Sequence, residues 1–361
     1  GTIGFNQADK VAASLGFDRS GSYRLAALIS HVLADRTQAG GHTFLRPGDL
    51  FSRVTTVARD IDPPMLGITK SHFSGAINAL HEQKRVVVDK TMTPVGIYRT
   101  GSWTAESKAA ALLARLLTTA GPVQERLRDK YTDEQLVELV ADYEEEVKIK
   151  FSDAQREAMT ALRDHKALVI TGLPGTGKTT VLKGLVRLLQ EAGVSFTLLA
   201  PTGIAAKRMA DVIGSTASTI HRALRCRMAT VDGQDRVEWG YGSKGKDGIY
   251  PTEVVIMDES SMVDMEVYYR TLDSLSPETS LVMVGDEDQL PSVGPGLVLQ
   301  QVIASGNLKV IRLTDIFRQA TLSDIVRAAH DIHEGRFPTT GPDFVFLPVK
   351  DEIQILQQIV Q

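Results

Sequence analysis

The segment that most constrains this chain reads GLPGTGKT, at residues 172–179. It fits the spacing G-x-x-x-x-G-K-[ST] and stands between an apolar, β-prone run and a helix-forming run. Glycine at 172, 175 and 177 lets the backbone turn closely around an anion, because any side chain there would occupy the space that the anion needs. The segment therefore predicts a phosphate-binding loop between a strand and a helix.

The polar side chains of this loop suit a nucleoside triphosphate with its magnesium ion. We expect Lys178 to reach the β and γ phosphates as a point charge, and Thr179 to offer its hydroxyl to Mg²⁺. ATP and Mg²⁺ are thus the predicted cofactors. The loop residues predicted to bind the nucleotide are Gly172, Pro174, Gly175, Thr176, Gly177, Lys178, Thr179 and Thr180.

A phosphate-binding loop needs an acidic partner at the end of a neighbouring strand, and VVIMDESS at 254–261 supplies one. We expect Asp258 to hold the Mg²⁺ shell through water, and Glu259 to polarise the attacking water. Adjacent Asp and Glu also occur on ordinary surfaces, but after an apolar strand two ionised carboxylates are costly without a cation. Gln289 follows the next apolar strand and is predicted to sense the γ phosphate.

Five short apolar runs, separated by helix-length segments, predict the strands of a parallel sheet that is covered on both faces. They occupy residues 167–171, 196–200, 254–258, 281–285 and 309–313. The predicted fold class of this part is an α/β P-loop NTPase.

The region before residue 150 has a different pattern of predicted secondary structure, with short helices and one small hairpin. Helix-like stretches at 46–60 and 69–84 precede two β-prone runs around a Thr-Pro-Val-Gly turn, which is the order of a winged helix. The second stretch carries basic residues that suit DNA phosphates, although a solvated charged face explains them equally well. A helix over 134–150 with an acidic outer face is predicted to be a spacer between domains.

Composition narrows the cellular setting. Cys226 is the single cysteine, so the chain cannot close an internal disulfide, and a reducing compartment is expected. No apolar run approaches the length of a membrane span and no secretory signal opens the chain, so we predict a cytoplasmic protein without membrane association. The net charge of -4 argues only against non-specific coating of DNA, because DNA contact needs local basic patches.

The motifs together resemble the first motor domain of superfamily-one helicases, in the RecD-like branch that moves 5′ to 3′ along single-stranded DNA. The resemblance implies a RecA-like sheet, a Gln155 that reads adenine, and an Arg318 that contacts the γ phosphate as an arginine finger. The motifs that carry it stand in the family's order: FSDAQREAM (151–159), GLPGTGKT (172–179), LLAPTGIAAKRM (198–209), STASTIHRAL (215–224), IMDESSM (256–262), GDEDQLPSVGPG (285–296) and LTDIFRQA (313–320).

The resemblance extends to the N-terminal part, where IGFNQADKVAASLGFD and GGHTFLRPGDL look like the helix-hairpin-helix and winged-helix region of the longer RecD-like helicases. The implied domains are a helix-hairpin-helix-like region at 1–40, a winged-helix-like region at 41–105, a helical linker at 106–150, the motor domain at 151–335 with a hairpin insertion at about 226–250, and the start of a following region at 336–361.

The resemblance also implies where single-stranded DNA crosses the motor domain. Small hydroxyls and backbone amides there suit phosphate contact without base reading, although His221 alternatively caps a helix or fills a polar pocket. The residues concerned are Pro201, Thr202, Thr219, His221 and Arg222.

A hairpin is predicted between residues 226 and 250, where an Asp-Gly pair separates two β-prone runs. In RecD-like helicases a hairpin at this place is a pin that splits the duplex. Trp239 and Tyr241 either stack on the last base pair or steady the hairpin, and the sequence leaves both alternatives open.

The chain departs from the family pattern in two ways. Ser260 and Ser292 replace the usual Val after the Asp-Glu pair and the usual second Pro of motif III, and both changes spare the groups that do chemistry. The sequence also begins at Gly1 without Met and ends at Gln361 before any counterpart of motifs V and VI, so we expect a piece of a longer protein.

Three functions fit these observations. The leading hypothesis is an ATP-dependent, Mg²⁺-requiring 5′ to 3′ DNA helicase of repair or recombination, which acts on single-stranded DNA and its junctions with duplex. The alternatives are an ATP-binding, DNA-binding module without productive turnover, and the helicase segment of a conjugative relaxase.

Overall fold

The computed structural model describes residues 4–17, 21–38, 40–231, 234–242, 250–315, 323–347 and 349. The helices are α1 (Phe5–Ser14), α2 (Ser22–Gln38), α3 (Pro47–Asp60), α4 (Lys70–Glu82), α5 (Thr100–Thr118), α6 (Pro122–Lys130), α7 (Asp133–Val147), α8 (Asp153–Thr160), α9 (Lys178–Glu191), α10 (Gly203–Ile213), α11 (Ile220–Ala223), α12 (Met265–Ser274), α13 (Val298–Ala304) and α14 (Asp324–His333). The strands are β1 (Phe44–Leu45), β2 (Val86–Asp89), β3 (Gly96–Arg99), β4 (Ala167–Gly172), β5 (Phe196–Ala200), β6 (Ala217–Thr219), β7 (Arg227–Val231), β8 (Gln234–Glu238), β9 (Val254–Met257), β10 (Ser280–Gly285) and β11 (Lys309–Leu313).

The N-terminal region packs its helices on a small antiparallel sheet with strand order β1-β3-β2. Helix α4 begins where the sequence offers a cap, since the Thr69 hydroxyl accepts a hydrogen bond from the His72 N–H at 3.1 Å. Its apolar face, with Phe73 and Leu80, is buried against α2 and α3. The predicted order of helix, helix and hairpin is therefore confirmed.

The region predicted to be the motor domain, which is called the motor below for this prediction alone, is built on a six-stranded parallel sheet with the order β11-β4-β10-β9-β5-β6. Successive residues of β4 face opposite sides: Leu168 joins the core on one face and Val169 joins the core on the other. Burial on both faces explains the continuous apolar runs of the middle strands. The five predicted strands and the α/β P-loop fold class are confirmed, and β6 is an additional strand that the sequence did not predict.

The helices of the predicted linker are part of the motor core. Leu127 of α6 and Tyr143 of α7 are buried in the same cluster as Leu185 of the helix that follows the phosphate-binding loop. Helix α5, which crosses the predicted domain border at residue 105, packs along α12 of the motor. Leu139 and Tyr143 of α7 are buried in this core and Glu145 is exposed, so the acidic outer face is as predicted, and the role of a spacer between domains stays a prediction.

Candidate functional site

The phosphate-binding loop connects the end of β4 to the start of α9, as the spacing predicted. Gly175 and Gly177 adopt φ of 83° and 86°, in the left-handed region that favours glycine. Gly172 is needed for another reason, since a Cβ there would lie 2.6 Å from the Leu313 carbonyl oxygen and 2.7 Å from the Thr176 hydroxyl. The loop therefore depends on these glycines for its turn and for close approach of neighbouring backbone.

The Lys178 side chain is half-buried beside the phosphate-binding loop. Its ammonium donates hydrogen bonds to the carbonyls of Gly172 and Leu173, the latter at 3.2 Å. Burial lowers the pKa of Lys178, and the negative charges of Asp286, Glu259 and Asp258 oppose that shift. The structure thus places this cation next to the predicted carboxylates, as electrostatic stabilisation of a transferred phosphoryl group requires.

Asp258 and Glu259 follow β9 at the edge of the sheet where the parallel strands end. The Asp258 carboxylate accepts a hydrogen bond from the Glu259 N–H at 2.9 Å. Burial raises the pKa of Asp258, and the neighbouring charge of Glu259 adds to this. Glu259 has a φ of 52°, a left-handed backbone that is rare for a residue with a side chain and that recurs at functional sites.

Gln289 lies beside the carboxylate loop, although it is distant in sequence. Its side-chain oxygen accepts a hydrogen bond from the Ser261 hydroxyl at 2.8 Å. The loop after β10 is tied to β4 as well, because the Glu287 N–H donates to the Thr171 hydroxyl at 3.2 Å. The adjacent strands β4, β10 and β9 thereby bring the phosphate-binding loop, the predicted sensor and the carboxylate pair to one edge of the sheet.

The donor set at this edge fits a magnesium ion. Thr179 supplies a hydroxyl at the start of α9, and the half-buried Asp258 is a carboxylate whose ionised form needs a compensating cation. The described residues contain no group of three or more His, Cys, Asp or Glu side chains able to hold a metal ion. Such a sparse set suits Mg²⁺, which keeps waters and phosphate oxygens as its other ligands.

Gln155 is buried beneath the phosphate-binding loop and hydrogen-bonds its backbone, a contact that the predicted role in reading adenine does not include. Its side chain is only 2% exposed. Its oxygen accepts from the Ser152 N–H at 2.9 Å, and its amide donates to the Thr176 carbonyl of the phosphate-binding loop at 2.9 Å. Both polar ends of the side chain are thus engaged within the protein, and adenine contact by Gln155 stays a prediction.

Three further residues of the site were not predicted: two histidines that no quoted motif contains, and Arg208, which lies within the motif at 198–209 but was given no role. The His330 ring of α14 lies 3.4 Å from the Pro174 carbonyl oxygen, and the His333 ring lies 3.6 Å from the carboxylate of Asp288. The positive charge of Arg208 on α10 acts on the pKa of both Lys178 and Asp258. Arg318, the predicted arginine finger, lies outside the described residues, so its role stays a prediction.

The predicted DNA-contacting residues follow two adjacent strands, β5 and β6. Thr202 caps α10 by accepting from the Ala205 N–H at 3.2 Å, and Thr219 caps α11 by accepting from the Arg222 N–H at 3.2 Å. These hydroxyls keep their protons available as donors to an anion. Pro201, Thr202 and Thr219 therefore lie together at one end of the sheet, and their contact with DNA stays a prediction.

The hairpin predicted between residues 226 and 250 is formed by β7 and β8. The Trp239 ring centroid lies 5.5 Å from that of the His221 ring, and the two ring planes are tilted by 30°. Tyr241 is buried beneath the Arg225 guanidinium, which lies 4.7 Å from its ring centroid. These contacts favour the second alternative for Trp239 and Tyr241, in which both rings fasten the base of the hairpin.

A family model described as an AAA domain matches residues 150–346, which is more than half of the chain and includes all of these site residues. The chain belongs to the AAA domain family. A second model, the ATP-dependent RecD2 DNA helicase HHH domain, matches residues 1–44. The resemblance to RecD-like helicases is thereby confirmed, and with it the helix-hairpin-helix character of the N-terminus.

Curated relatives agree with both models. The ATP-dependent RecD2 DNA helicase of Deinococcus radiodurans is 30% identical over 94% of this chain and 44% of its own length. The RecBCD enzyme subunit RecD of Mycolicibacterium smegmatis is 33% identical over 42% of this chain and 30% of its own. The crystal structure of Bacteroides Pif1 bound to ssDNA aligns over 52% of this chain and 47% of its own, at 25% identity and a TM-score of 0.36.

This AAA-family chain spans less than half the length of the curated relatives that it matches. Within the part of the chain that the structure describes, no helix is both long enough and apolar enough to cross a membrane. The cytoplasmic location stays a prediction.

Proposed function

We propose that this chain is the nucleotide-binding part of an ATP-dependent DNA helicase that moves 5′ to 3′ on single-stranded DNA and acts in repair or recombination. The observation that carries the proposal is the convergence of Lys178, the carboxylate pair and Gln289 at the carboxyl ends of adjacent parallel strands. The DNA helicase activity is supported by the similarity to an ATP-dependent RecD2 DNA helicase and to the RecD subunit of a RecBCD enzyme. The direction and the repair role rest on the motif resemblance alone.

The residues of the site divide the chemistry of hydrolysis. Lys178 and the backbone N–H groups of the loop would bind the phosphates, and Thr179 and Asp258 would hold Mg²⁺, which when bound would supply positive charge to the site. Glu259 orients and deprotonates the attacking water. Gln289, next to Ser261, reports the state of the γ phosphate to the loop after β10.

The DNA part of the proposal rests on the surface at the ends of β5 and β6. Pro201, Thr202, Thr219, His221 and Arg222 would hold the phosphate backbone of single-stranded DNA, and the β7–β8 hairpin would meet the junction with duplex. Met228 and Val237 of the hairpin are 66% and 53% exposed, so apolar side chains are available there to contact bases.

Hydrolysis of ATP with and without single-stranded DNA tests the proposal. We expect DNA to stimulate hydrolysis by the unaltered chain and Lys178→Ala to abolish it, because the phosphates lose their cation. Lys183→Ala, on the same helix, is the matched control and should hydrolyse ATP as the unaltered chain does. Unwinding of 5′-tailed but not of 3′-tailed duplex would support the direction.

Two other outcomes separate the alternatives. Nucleotide binding that depends on Lys178 but shows no DNA-stimulated turnover would favour the DNA-binding module without productive hydrolysis. Absence of any nucleotide binding that depends on Lys178 would overturn the proposal.

A further inference from the structure

Glu144 is a buried carboxylate that the chemistry described so far does not use. It lies near the end of α7, and its side chain is only 2% exposed. One oxygen accepts from the Phe151 N–H at 2.9 Å and lies 2.8 Å from the Arg156 guanidinium, and the other accepts from Lys150 at 2.8 Å. Burial raises the pKa of Glu144, but these hydrogen bonds and charges outweigh it, so the net pKa lies below the ordinary 4.5.

Two partners of Glu144, Phe151 and Arg156, lie just before and within the first turn of α8. Arg156 also donates to the Phe151 carbonyl at 3.2 Å, so Glu144 and Arg156 hold the N–H and the C=O of Phe151 at the same time. The following residue, Ser152, caps α8 in a reciprocal arrangement with Gln155. The first turn of α8 is therefore set by a carboxylate from a different helix.

Gln155 connects the first turn of α8 to the phosphate-binding loop. Its amide donates to the Thr176 carbonyl at 2.9 Å, two residues before Lys178, and Thr176 is itself 1% exposed. A second contact runs in parallel from the residue before Glu144, because the Tyr143 hydroxyl donates to the Thr180 carbonyl at 3.2 Å. Helix α7 thus reaches the first turn of α9 directly through Tyr143, and it reaches the phosphate-binding loop indirectly, through Glu144, α8 and Gln155.

We propose that Glu144 is a positioning residue of the nucleotide site, which fixes the first turn of α8 so that Gln155 holds the phosphate-binding loop in its binding conformation. The inference rests on the nucleotide binding proposed above. It assigns α7 a part in nucleotide affinity, whereas a purely structural staple would change stability alone.

A double-mutant cycle on the whole 361-residue chain tests this inference. The dissociation constant of a fluorescent ADP analogue is measured for the unaltered chain, Glu144→Gln, Gln155→Ala and the double variant. We expect Glu144→Gln to raise the dissociation constant roughly 3- to 10-fold, with little change in affinity for single-stranded DNA. Glu145→Gln, an exposed neighbour on the same helix, is the matched control.

Coupling between the two sites decides the outcome. If Glu144 acts through Gln155, the double variant binds ADP no more weakly than Gln155→Ala alone. Two results would overturn the inference while leaving nucleotide binding by the unaltered chain intact. One is a double variant whose dissociation constant for ADP rises by the product of the two single effects. The other is a Glu144→Gln variant whose dissociation constant for ADP is unchanged. Should Glu144→Gln fail to fold, Arg156→Lys, which keeps the charge but loses the two-pronged contact, must still weaken ADP binding. A failure of the unaltered chain to bind ADP would overturn the proposed function and this inference with it.

Discussion

Asp258 is a residue whose predicted role in binding magnesium lowers the stability of the folded chain when no cation is bound. A carboxylate that is removed from water without a cation favours its neutral form, and burial accordingly raises its pKa above the ordinary 3.8. In the fully ionised form the folded chain is therefore less stable than it would be with a neutral group at this position. A magnesium ion that binds together with the nucleotide would supply the missing positive charge.

Asp258→Asn should make the nucleotide-free chain more stable and less active. An acid whose folded pKa is raised contributes stability below its unfolded pKa of 3.8, and that contribution is lost as pH rises through the folded pKa. The gain in melting temperature over the unaltered chain should thus be larger at pH 8 than at pH 5. The Mg²⁺ concentration for half-maximal hydrolysis should rise roughly 10- to 100-fold.

Calorimetry at pH 5 and pH 8 measures the melting temperatures. A titration of ATP hydrolysis with Mg²⁺ measures the concentration for half-maximal activity. Asp142→Asn, an exposed carboxylate on α7, serves as the control and should shift neither. A variant of Asp258 that melts below the unaltered chain at both pH values would contradict the account.

At the scale of elements, the β7–β8 hairpin is attached to the motor by its base. Its strands pair only with each other in the described sheets. Trp239 and Tyr241, just beyond β8, pack against the motor core beside α12, where Arg270 lies 6.0 Å from the Trp239 ring centroid. The hairpin therefore exposes Met228 and Val237 while its base is fixed to the sheet domain, which is compatible with the junction contact that we propose.

Replacing residues 228–237 by Gly-Gly should remove the hairpin without disturbing the site. Because the lost contacts lie mainly within the hairpin, we expect the melting temperature to change by less than roughly 2 °C and ADP affinity to stay as it is. Affinity for forked DNA and strand separation should fall. Equal unwinding by the shortened and the unaltered chain would show that the hairpin does not meet the junction.

For the whole molecule, the N-terminal region and the motor meet at the loop after β10. The Gly296 N–H donates to the Gly41 carbonyl at 3.0 Å, and the Met265 N–H donates to the Pro295 carbonyl at 2.9 Å. The Ser292 hydroxyl, which stands where the family has proline, donates to the Gly294 carbonyl at 2.9 Å. The loop that carries Gln289 is thus held on one side by α12 and on the other by the N-terminal region.

Gly296→Ala should loosen this junction. Gly296 has a φ of 106°, and a Cβ there would lie 3.0 Å from that of Met265 and 3.5 Å from a methyl carbon of Thr43. We expect a loss of about 1–3 kcal/mol in stability and faster hydrogen exchange at residues 40–45. Gly306→Ala, which has a positive φ but open space, should cost about 1 kcal/mol and leave that exchange unchanged. Identical exchange in the two variants would mean that the contact does not hold the N-terminal region.

Local features of the chain were the ones that its sequence made predictable. The loop around Lys178, its flanking strand and helix, and the apolar runs of the middle strands follow from side-chain size, glycine freedom and periodicity over a few neighbouring residues. The strand β6 escaped prediction because Ala217–Thr219 is short and half-buried, and its extended shape comes from pairing with β5.

Features that join distant residues needed the three-dimensional packing. The sequence around Glu144 does not show that its carboxylate accepts a hydrogen bond at the start of α8. It also does not show that Gln155 donates to the Thr176 carbonyl of the loop. Both contacts form only because α7, α8 and α9 pack together. The same holds for Trp239, whose partner ring at His221 is brought to it by the fold. Motif spacing thus sets which chemistry the chain can perform, whereas the packing of helices on the sheet sets which side chains hold that chemistry in place.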